Sequence, residues 1–459
     1  MGLFGTLLRG TAQVTASATA VTGNMLWGAV QKARTRREVR GIMNQAAEAN
    51  YNARDVAVLP GLDKQLLALT SADPQDNDIY DYTSQSQTPG LDFIWGQDPT
   101  PEGLVVSGGG NDQRVRALMP FVDKAQTNNL PVIALHTGNQ KLAAMVGQRS
   151  RACEHVHASA SYYDVFRGMP VGDIAYLLYG TMDRSTTTAA AEALLQAAVE
   201  VLLLTDGVVT AEKLAALSLP TLNDQIDKLH LAKAIPTDQY QELSRYFMSG
   251  SAETNAVRIF LNQLARQIES VYGRMGTRSC NIKKMLNMAG SVTIDVGLAN
   301  NDLLTKLLIN HLLLLESQGR DFAIILDNVP ISRYPQLMDV LRSRRYAISH
   351  DDVVSSLFGG ARNGDDLFAE ITGNVKTAVV FHHNSGTACQ KWSDYFGKYH
   401  KIRVRFNVSQ NTAFLNTSNS HGISVDETDE ARVRAETLSR LPPNAACVYS
   451  AGGILITVV

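Results

Sequence analysis

Cysteine is scarce in this sequence and is not arranged as a metal site. The four cysteines, Cys153, Cys280, Cys389 and Cys447, are widely separated, and no two of them form a Cys-x-x-Cys pair. Structural zinc sites use closely spaced cysteine and histidine ligands, and disulfide scaffolds concentrate many cysteines in a short chain. Four scattered thiols instead fit buried residues in a reducing compartment, so we predict a cytoplasmic protein.

The sequence is also poor in charge. Charged residues make up 19% of its 459 residues, and 42 lysines and arginines nearly balance 44 aspartates and glutamates. The formal net charge of −2 provides no overall positive field, so a nucleic-acid surface would have to be a local patch. Hydrophobic residues reach 45%, which indicates a globular protein, and the length suggests about two or three domains.

The N-terminal segment lacks a membrane-spanning sequence. Leu3 to Val30 is interrupted by polar residues and by Arg9, and it does not provide the roughly 20 predominantly apolar residues that a spanning helix needs. Its apolar residues recur near helical spacing, and a basic run from Lys32 to Arg40 follows. Residues 3–40 therefore predict either an amphipathic helix in peripheral contact with the inner face of a membrane or with a partner, or a helix packed on its own protein.

Changes in composition divide the chain into three regions. A polar segment from Ser71 to Pro101 predicts a linker. Beyond it, short apolar runs alternate with helical patterns, except between about residues 162 and 289, where the sequence is nearly all helical. We expect an N-terminal helical region with its linker (1–95), an α/β core built from two segments (96–161 and 290–459), and an all-α insertion domain (162–289).

The apolar runs of the core predict a mainly parallel sheet. They are short and continuous, as is typical of strands buried on both faces of a sheet. The predicted strands are Gly103–Ser107, Pro131–His136, Ser291–Val296, Phe322–Asp327, Tyr346–Ser349 and Thr377–Phe381. Two further runs, Ala445–Ser450 and Ile454–Val459, flank a Gly-Gly turn and predict a closing β-hairpin.

Periodicity predicts the helices. In the insertion we expect Ala189–Leu204, Leu222–Ala234 and Ala256–Tyr272 to be helical. A further helix is predicted from Gly386 to Tyr399, before the closing hairpin.

A glycine-rich turn follows the first core strand. Gly108, Gly109 and Gly110 lead into a helix, and phosphates bind at such turns because backbone N–H groups and the helix dipole converge there. A phosphate loop also needs a lysine and then a serine or threonine, whose hydroxyl ligates magnesium. The two possible alignments put Arg114 and Val115, or Gly109 and Gly110, at these positions. The turn therefore predicts a vestigial nucleotide site or a tight turn without a ligand.

A second candidate element is the strand that ends at Asp327. Its apolar run has the form of a Walker B strand, which delivers an acid to the carboxyl edge of a sheet, and Asp327 is placed to hold magnesium through water. The next position should carry the carboxylate that activates water. Asn328 occupies it and cannot accept a proton at neutral pH. An aspartate at a strand end also often caps a following turn, so both readings stay open.

The order of these parts, over roughly residues 90 to 459, resembles the coupling ATPases of type IV secretion and conjugation systems, of the TraG/TraD kind and related to the FtsK/HerA motors. The resemblance consists of the glycine turn, a helical insertion, the Walker B-like strand, a sensor strand in the segment 346–357 and a closing hairpin. It implies a RecA-like fold, an oligomeric protein, ATP with magnesium as cofactor, and cargo selection by the insertion. At the sensor position, usually glutamine in that family, this sequence has His350.

The departures from the family pattern all fall on groups that carry chemistry. The lysine, the hydroxyl, the glutamate and the sensor glutamine are replaced together, so we predict a pseudo-ATPase without a nucleotide or metal cofactor. The vestigial nucleotide-site candidates are Gly108, Gly109, Gly110, Arg114, Asp327, Asn328 and His350. The expected role is recruitment or positioning of DNA or protein cargo in a secretion or conjugation machine, with its subunits as partners. The alternatives are a working ATPase whose base comes from a neighbouring subunit, and a scaffold subunit of another nucleoprotein assembly.

Two basic clusters are candidates for contact with a nucleic-acid backbone. The first contains Arg342, Arg344 and Arg345, and the second contains Lys401, Arg403 and Arg405. Charged residues at solvated strand edges give the same pattern without any ligand. The adjacent pair His382 and His383, expected on a strand, would point to opposite faces and so cannot share one metal ion.

Overall fold

The computed structural model describes residues 36–59, 62, 102–157, 162–163, 165–183, 188–248, 252–272, 279–280, 282–297, 302–351, 364–413, 416–450 and 453–459. Within strands and helices it leaves undescribed the side chains of residues 36–38, 162–163, 248, 252–253, 279, 364–367, 406–413 and 416–423. The predictions for residues 3–35, for nearly all of the linker at 71–101 and for residues 352–357 lie outside the described residues. Among the described helices, none is long and apolar enough to cross a membrane.

The described chain alternates strands and helices over most of its length. The helices are α1 (Arg36–Arg54), α2 (Asn111–Thr127), α3 (Gln140–Arg149), α4 (Val171–Thr181), α5 (Ala189–Asp206), α6 (Ala211–Ala216), α7 (Leu219–Leu231), α8 (Thr237–Met248), α9 (Ala252–Tyr272), α10 (Ile282–Asn287), α11 (Asp302–Ser317), α12 (Leu337–Ser343), α13 (Gly364–Gly373), α14 (Gly386–Phe396) and α15 (Ala435–Leu438). The strands are β1 (Val56–Val58), β2 (Gly103–Ser107), β3 (Val132–His136), β4 (Cys153–Val156), β5 (Tyr162–Tyr163), β6 (Ser279–Cys280), β7 (Ser291–Asp295), β8 (Ala323–Asp327), β9 (Arg345–His350), β10 (Thr377–Val380), β11 (Lys398–Ala413), β12 (Asn416–Ala431), β13 (Ala445–Ser450) and β14 (Gly453–Val458).

Ten of these strands form one sheet in the order β1-β14-β13-β10-β2-β9-β8-β3-β7-β4. The seven strands from β10 to β4 are parallel to one another. Strand β13 is antiparallel to both β10 and β14. Strand β9 lies between β2, which leads into the glycine turn, and the Walker B-like β8. The predicted α/β, RecA-like fold and the closing hairpin are therefore confirmed.

The sheet is buried because its strands are apolar on both faces. One face, with Val106, Ala134 and Ile325, packs against α2 and α3. The other, with Val105 and Leu326, belongs to a larger core that includes α4 to α12 and α14. Continuous apolar runs have no polar face to leave in water, which is why the central strands were predictable from the sequence.

Helix α9, the last helix of the predicted insertion before β6, is hydrogen-bonded to the sheet and to α11. The Oη of Tyr272, at the end of α9, donates to the carbonyl of Asp295 over 2.9 Å. The Oε1 of Gln267 accepts from the backbone N–H groups of Leu303 and Leu304 at the start of α11, which satisfies donors that a helix leaves unpaired. Helices α4 to α9 occupy the predicted insertion, but the short parallel pair β5 and β6 also falls within 162–289. The division into domains stays a prediction.

Buried His311 on α11 predicts a loss of stability in acid. Burial lowers its pKa from the usual 6.5 to about 3, so the unfolded chain binds the proton more readily between these values. We expect the free energy of unfolding to fall as the pH drops through this window. At pH 5 the loss that is due to His311 is about 2 kcal/mol. Chemical unfolding from pH 7 to pH 4.5 should therefore weaken less in His311→Phe than in the parent chain. An equal slope in both proteins would contradict the expectation.

The largest difference from the sequence prediction comes after α14. That helix ends at Phe396 rather than Tyr399, because Gly397 takes a positive φ of 84° that stops the helix. Residues 398–413 and 416–431 then form a two-stranded antiparallel ribbon of β11 and β12, which was not predicted. His382 and His383 come after the end of β10 instead of lying on it.

Candidate functional site at the carboxyl edge of the sheet

The carboxyl ends of the central strands bring the predicted site residues to one edge of the sheet. In the strand register, Ser107 is opposite His350, Asp327 is opposite both Ser349 and His136, and His136 is opposite Asp295. The glycine turn follows Ser107 directly, and Asn328 follows Asp327. Parallel strands meet in this way because their carboxyl ends share an edge.

The glycine turn is tightly packed and its backbone donors are used within the chain. Gly108 and Gly109 have φ values of 78° and 67°, which favour glycine. The N–H of Gly108 donates to the carbonyl of His350, and the N–H of Gly109 donates to the carbonyl of His382, each over 3.0 Å. The N–H of Gly110 donates to the side-chain Oε1 of Gln113 over 2.6 Å. All three glycine amides that would face a phosphate are therefore engaged.

Arg114 turns back onto the same turn. Its side chain is buried, with only 5% exposed, and Nη1 donates to the carbonyl of Gly109 over 2.9 Å. Its Nε is buried without a hydrogen-bond partner. Val115, at the position of the metal-ligating hydroxyl in one alignment, is fully buried in the core. The guanidinium therefore ties down the turn from inside the protein.

Asp327 is fully buried and bound to an asparagine that the sequence analysis missed. Its Oδ2 accepts from Nδ2 of Asn139 over 2.7 Å. Asn139 caps α3 by accepting from the N–H of Leu142, and its amide also exchanges hydrogen bonds with Asn111, the first residue of α2. Asp327 is thus linked through Asn139 to the helix after the glycine turn. Its Oδ1 is buried without a hydrogen-bond partner.

The backbone conformation at position 328 favours asparagine. Its φ is 54°, in the left-handed region that asparagine tolerates better than glutamate. Its N–H donates to the carbonyl of Ser349, and its Oδ1 accepts from the N–H of Asp351 over 3.1 Å. The residue that replaces the family's glutamate therefore closes a turn between β8 and the end of β9.

Two buried histidines of this edge, His350 and His136, have lowered pKa values. Burial is the main cause that lowers the pKa of His350, whose Nδ1 donates to the carbonyl of Asp351 over 3.1 Å. Burial likewise lowers the pKa of His136, and this outweighs the opposing effect of Asp295 and Asp327. The Nδ1 of His136 accepts from the N–H of Asn139, which requires the unprotonated nitrogen.

These residues do not fit a magnesium nucleotide. Cβ atoms built at Gly108 and Gly109 would lie 2.7 Å from the His382 carbonyl and 2.8 Å from the Phe381 Cβ, so neither position accepts a side chain. Neither alignment supplies a metal-ligating hydroxyl, and Asp327 is bound by Asn139. Among the described residues, no group of three or more histidine, cysteine, aspartate or glutamate side chains is arranged to hold a metal ion.

A buried network below the turn was not found from the sequence. The Ser107 Oγ lies 3.0 Å from Nε2 of His383 and accepts from Nε1 of Trp392, also over 3.0 Å. His383 and Trp392 are fully buried, and Ser107 is 1% exposed. The serine and histidine therefore have no access to a substrate, and they anchor β2 to the segment after β10. The partners are separated by 276 and 285 residues, so no local signal reveals them.

The first basic cluster lies away from this edge, at the amino end of β9. Arg342 pairs with Glu370 and with Asp339, and Arg344 lies 3.5 Å from a carboxylate oxygen of Asp321. Arg345 is close enough to help Lys376 lower the pKa of Glu102. Each arginine thus already has an acidic neighbour, and contact with nucleic acid stays a prediction.

The second basic cluster lies on the ribbon. Lys401 is buried and pairs with Glu430 over 3.3 Å, and Arg403 reaches the same carboxylate over 3.6 Å. Arg405 lies 3.6 Å from Asp426. All three cations face acids of β12, which reduces the positive field available to a phosphate backbone.

No protein-family model and no curated protein sequence matches this chain. Solved structures do match. The chain is similar in structure to a bacterial conjugative coupling protein, TrwBdeltaN70, in its unbound form. The identity is 13%, the TM-score is 0.49, and the match covers 82% of this chain and 89% of the other.

A second structure of TrwB, in complex with the non-hydrolysable GTP analogue GDPNP, matches with 14% identity and a TM-score of 0.45, over 82% and 89% of the two chains. VirB4 of Thermoanaerobacter pseudethanolicus matches with 10% identity and a TM-score of 0.40, over 80% and 91%. At these values the likeness concerns the course of the chain, and nothing about ligands or partners follows from it.

Proposed function

We propose that the chain is a coupling-protein-like subunit that positions DNA or protein cargo in a type IV secretion or conjugation-type machine and does not hydrolyse nucleotide. The proposal rests on the order of parts: a glycine turn, a helical insertion, a Walker B-like strand, a sensor strand and a closing hairpin. Subunits of such a machine are the proposed partners. The same proposal treats residues 96–161 and 290–459 as the core and 162–289 as the cargo-binding insertion domain.

The hydrogen bond from the Gly110 N–H to Gln113 Oε1 is the observation that best supports the loss of ATPase activity. In a phosphate loop this amide would point at a phosphate oxygen. Here the side chain of Gln113, in the first turn of α2, takes the place of that oxygen. The engaged amides of Gly108 and Gly109 and the inward-turned Arg114 support the same conclusion.

Calorimetry and phosphate release test the nucleotide part of the proposal. We expect no magnesium-dependent binding of ATP or of a non-hydrolysable analogue, because neither a hydroxyl ligand nor free glycine amides are provided. Phosphate release should be equal in the parent chain and in Asp327→Ala. Submicromolar, magnesium-dependent binding that is lost in Arg114→Ala would instead establish the rival reading of a working ATPase.

The helical segment is proposed to carry the cargo site because it exposes several large apolar side chains. Leu231 is 81% exposed and Ile259 is 54% exposed, and Leu204, Val208 and Tyr246 are also exposed.

Affinity purification from the native host, followed by mass identification, tests the cargo role. We expect secretion or conjugation components to accompany the parent chain and to be lost from Leu231→Glu combined with Ile259→Glu. Met43→Glu is the matched control, since Met43 is 45% exposed on α1, outside the segment. Equal capture by all three proteins would refute the assignment of the cargo site.

A further inference from the structure

A cavity opens at the surface between the start of α4 and the helices α10 and α11. Its volume is about 40 Å³. One ordered water needs roughly 10 to 15 Å³, so the cavity has room for about three water-sized groups. Its lining residues come from the segment before α4 and from these three helices, away from the carboxyl edge of the sheet. The cavity is therefore distinct from the site described above.

The buried lining residues form the floor of the cavity, and most of them are apolar. Val165, Ile282 and Leu315 line the floor, and each is at most 4% exposed. His311 lines it too, and its imidazole is uncharged at neutral pH because burial lowers its pKa to about 3. A buried surface of this kind favours contact with an aliphatic chain, since a second charge would lose its hydration there.

The exposed lining residues form the mouth of the cavity, which has an excess of positive charge. Arg167 and Lys283 lie there, and both are exposed. Among the described lining residues Asp173 is the one acid, and its Oδ2 accepts from Nε2 of Gln318 over 3.1 Å. Two cations against one carboxylate leave the lining with a net charge of +1 at neutral pH. Helix α4 begins beside the mouth at Val171, and the positive end of its dipole adds to this field.

We propose that this cavity binds a small aliphatic carboxylate, with its carboxylate at the mouth between Arg167 and Lys283 and its chain on the apolar floor. A guanidinium can donate two parallel hydrogen bonds to a carboxylate, and a lysine adds a point charge. The volume limits the chain to about three carbons beyond the carboxylate, as in butyrate. The inference does not depend on the nucleotide or cargo proposals.

Other small ligands would match only one part of the cavity. Inorganic phosphate would satisfy the cations of the mouth but would leave the apolar floor without a partner. An alcohol or an amine of the same length would cover the floor but would not compensate the positive charge. Shape and charge together therefore select the carboxylate with a short chain.

Ligand-observed NMR titration of the full chain with straight-chain carboxylates tests the ligand class. We expect the affinity to rise from acetate to butyrate, because each added methylene covers apolar surface, and to fall about 5-fold in octanoate, whose chain exceeds the cavity. Butanol, butylamine and inorganic phosphate should each bind at least about 10-fold more weakly than butyrate, because each lacks either the charge-assisted hydrogen bonds or the apolar contact.

Two results of this titration would overturn the proposal. An affinity that rises steadily from acetate through octanoate would mean general hydrophobic binding without a bounded cavity. Absence of butyrate binding at about 20 mM would mean that no site exists, since a ligand of this size can reach millimolar affinity in a fitting cavity.

Neutral variants of the mouth locate the site. Arg167→Gln and Lys283→Gln each remove one cation, and both residues are exposed, so we expect the fold to be kept. Each variant should bind butyrate about 5- to 10-fold more weakly through loss of a charge-assisted hydrogen bond. Lys284→Gln is the matched control, because Lys284 is the neighbouring exposed lysine on α10 and does not line the cavity. Equal binding by the parent chain and all three variants, or an equal loss in Lys284→Gln, would refute the assignment.

Discussion

Replacement of Trp392 by alanine is expected to lower the free energy of unfolding by about 3 to 5 kcal/mol. The indole is fully buried and lies within 5.3 Å, between ring centroids, of both Phe368 and Tyr395. Its loss leaves a cavity among these rings. It also removes the N–H that donates to Ser107 at the end of β2, directly before the glycine turn.

Chemical unfolding measured by circular dichroism provides the test, with Trp392→Phe as the matched variant. Phenylalanine keeps most of the packing but not the N–H, so we expect a loss between those of the parent chain and Trp392→Ala. If the alanine variant unfolded at the denaturant concentration of the parent, the network under the turn would have no structural importance.

Gly109→Ala is expected to destabilise the protein by about 2 to 4 kcal/mol, through backbone strain and steric overlap. Gly109 has a φ of 67°, and a Cβ there would lie 2.7 Å from Gln113 Oε1 and 2.8 Å from Phe381 Cβ. The Gln113 side chain can swing away, but the contact with Phe381 Cβ is relieved only by a shift of the backbone. The turn would then lose the hydrogen bonds from the Gly108 and Gly109 N–H groups to the carbonyls of His350 and His382.

Gly110→Ala is the matched control in the same turn. Its φ is −80°, and the nearest atom to a built Cβ is Gln113 Oε1 at 3.5 Å. We expect the free energy of unfolding to fall by less than about 1 kcal/mol, because alanine at this N-cap position is less favourable than glycine but meets no close contact. Unfolding midpoints of the two variants decide the matter: equal losses would mean that close packing does not hold this turn.

The conformation of the glycine turn is thus explained by packing and hydrogen bonding within the chain. Gly108 and Gly109 are required by positive φ and by contacts with the segment after β10, and their amides donate to backbone carbonyls of the chain. Asn328 likewise suits a left-handed turn. Residues that look like remnants of a nucleotide site therefore have a present role in connecting β2, β8, β9 and β10.

The sequence by itself determined the central sheet and its closing hairpin. Strands buried on both faces must be continuously apolar, so β2, β3, β7, β8, β9 and β10 were recognisable at nearly their observed bounds. The glycine turn and Asp327 were placed at the carboxyl edge for the same reason, because strand ends are fixed once the strands are known.

The tertiary structure alone decided which groups occupy that edge and which structure the chain forms after α14. Asn139 binds Asp327 and His383 meets Ser107 across 188 and 276 residues, and such contacts depend on strand order, which no local pattern encodes. The ribbon escaped prediction because β11 and β12 mix polar, charged and apolar residues without a continuous buried run. Its strands are specified by pairing with each other and by contacts with α1, where Ile402 is buried against Ile42 and Ala46 and is hydrogen-bonded to Asn50, 352 residues away.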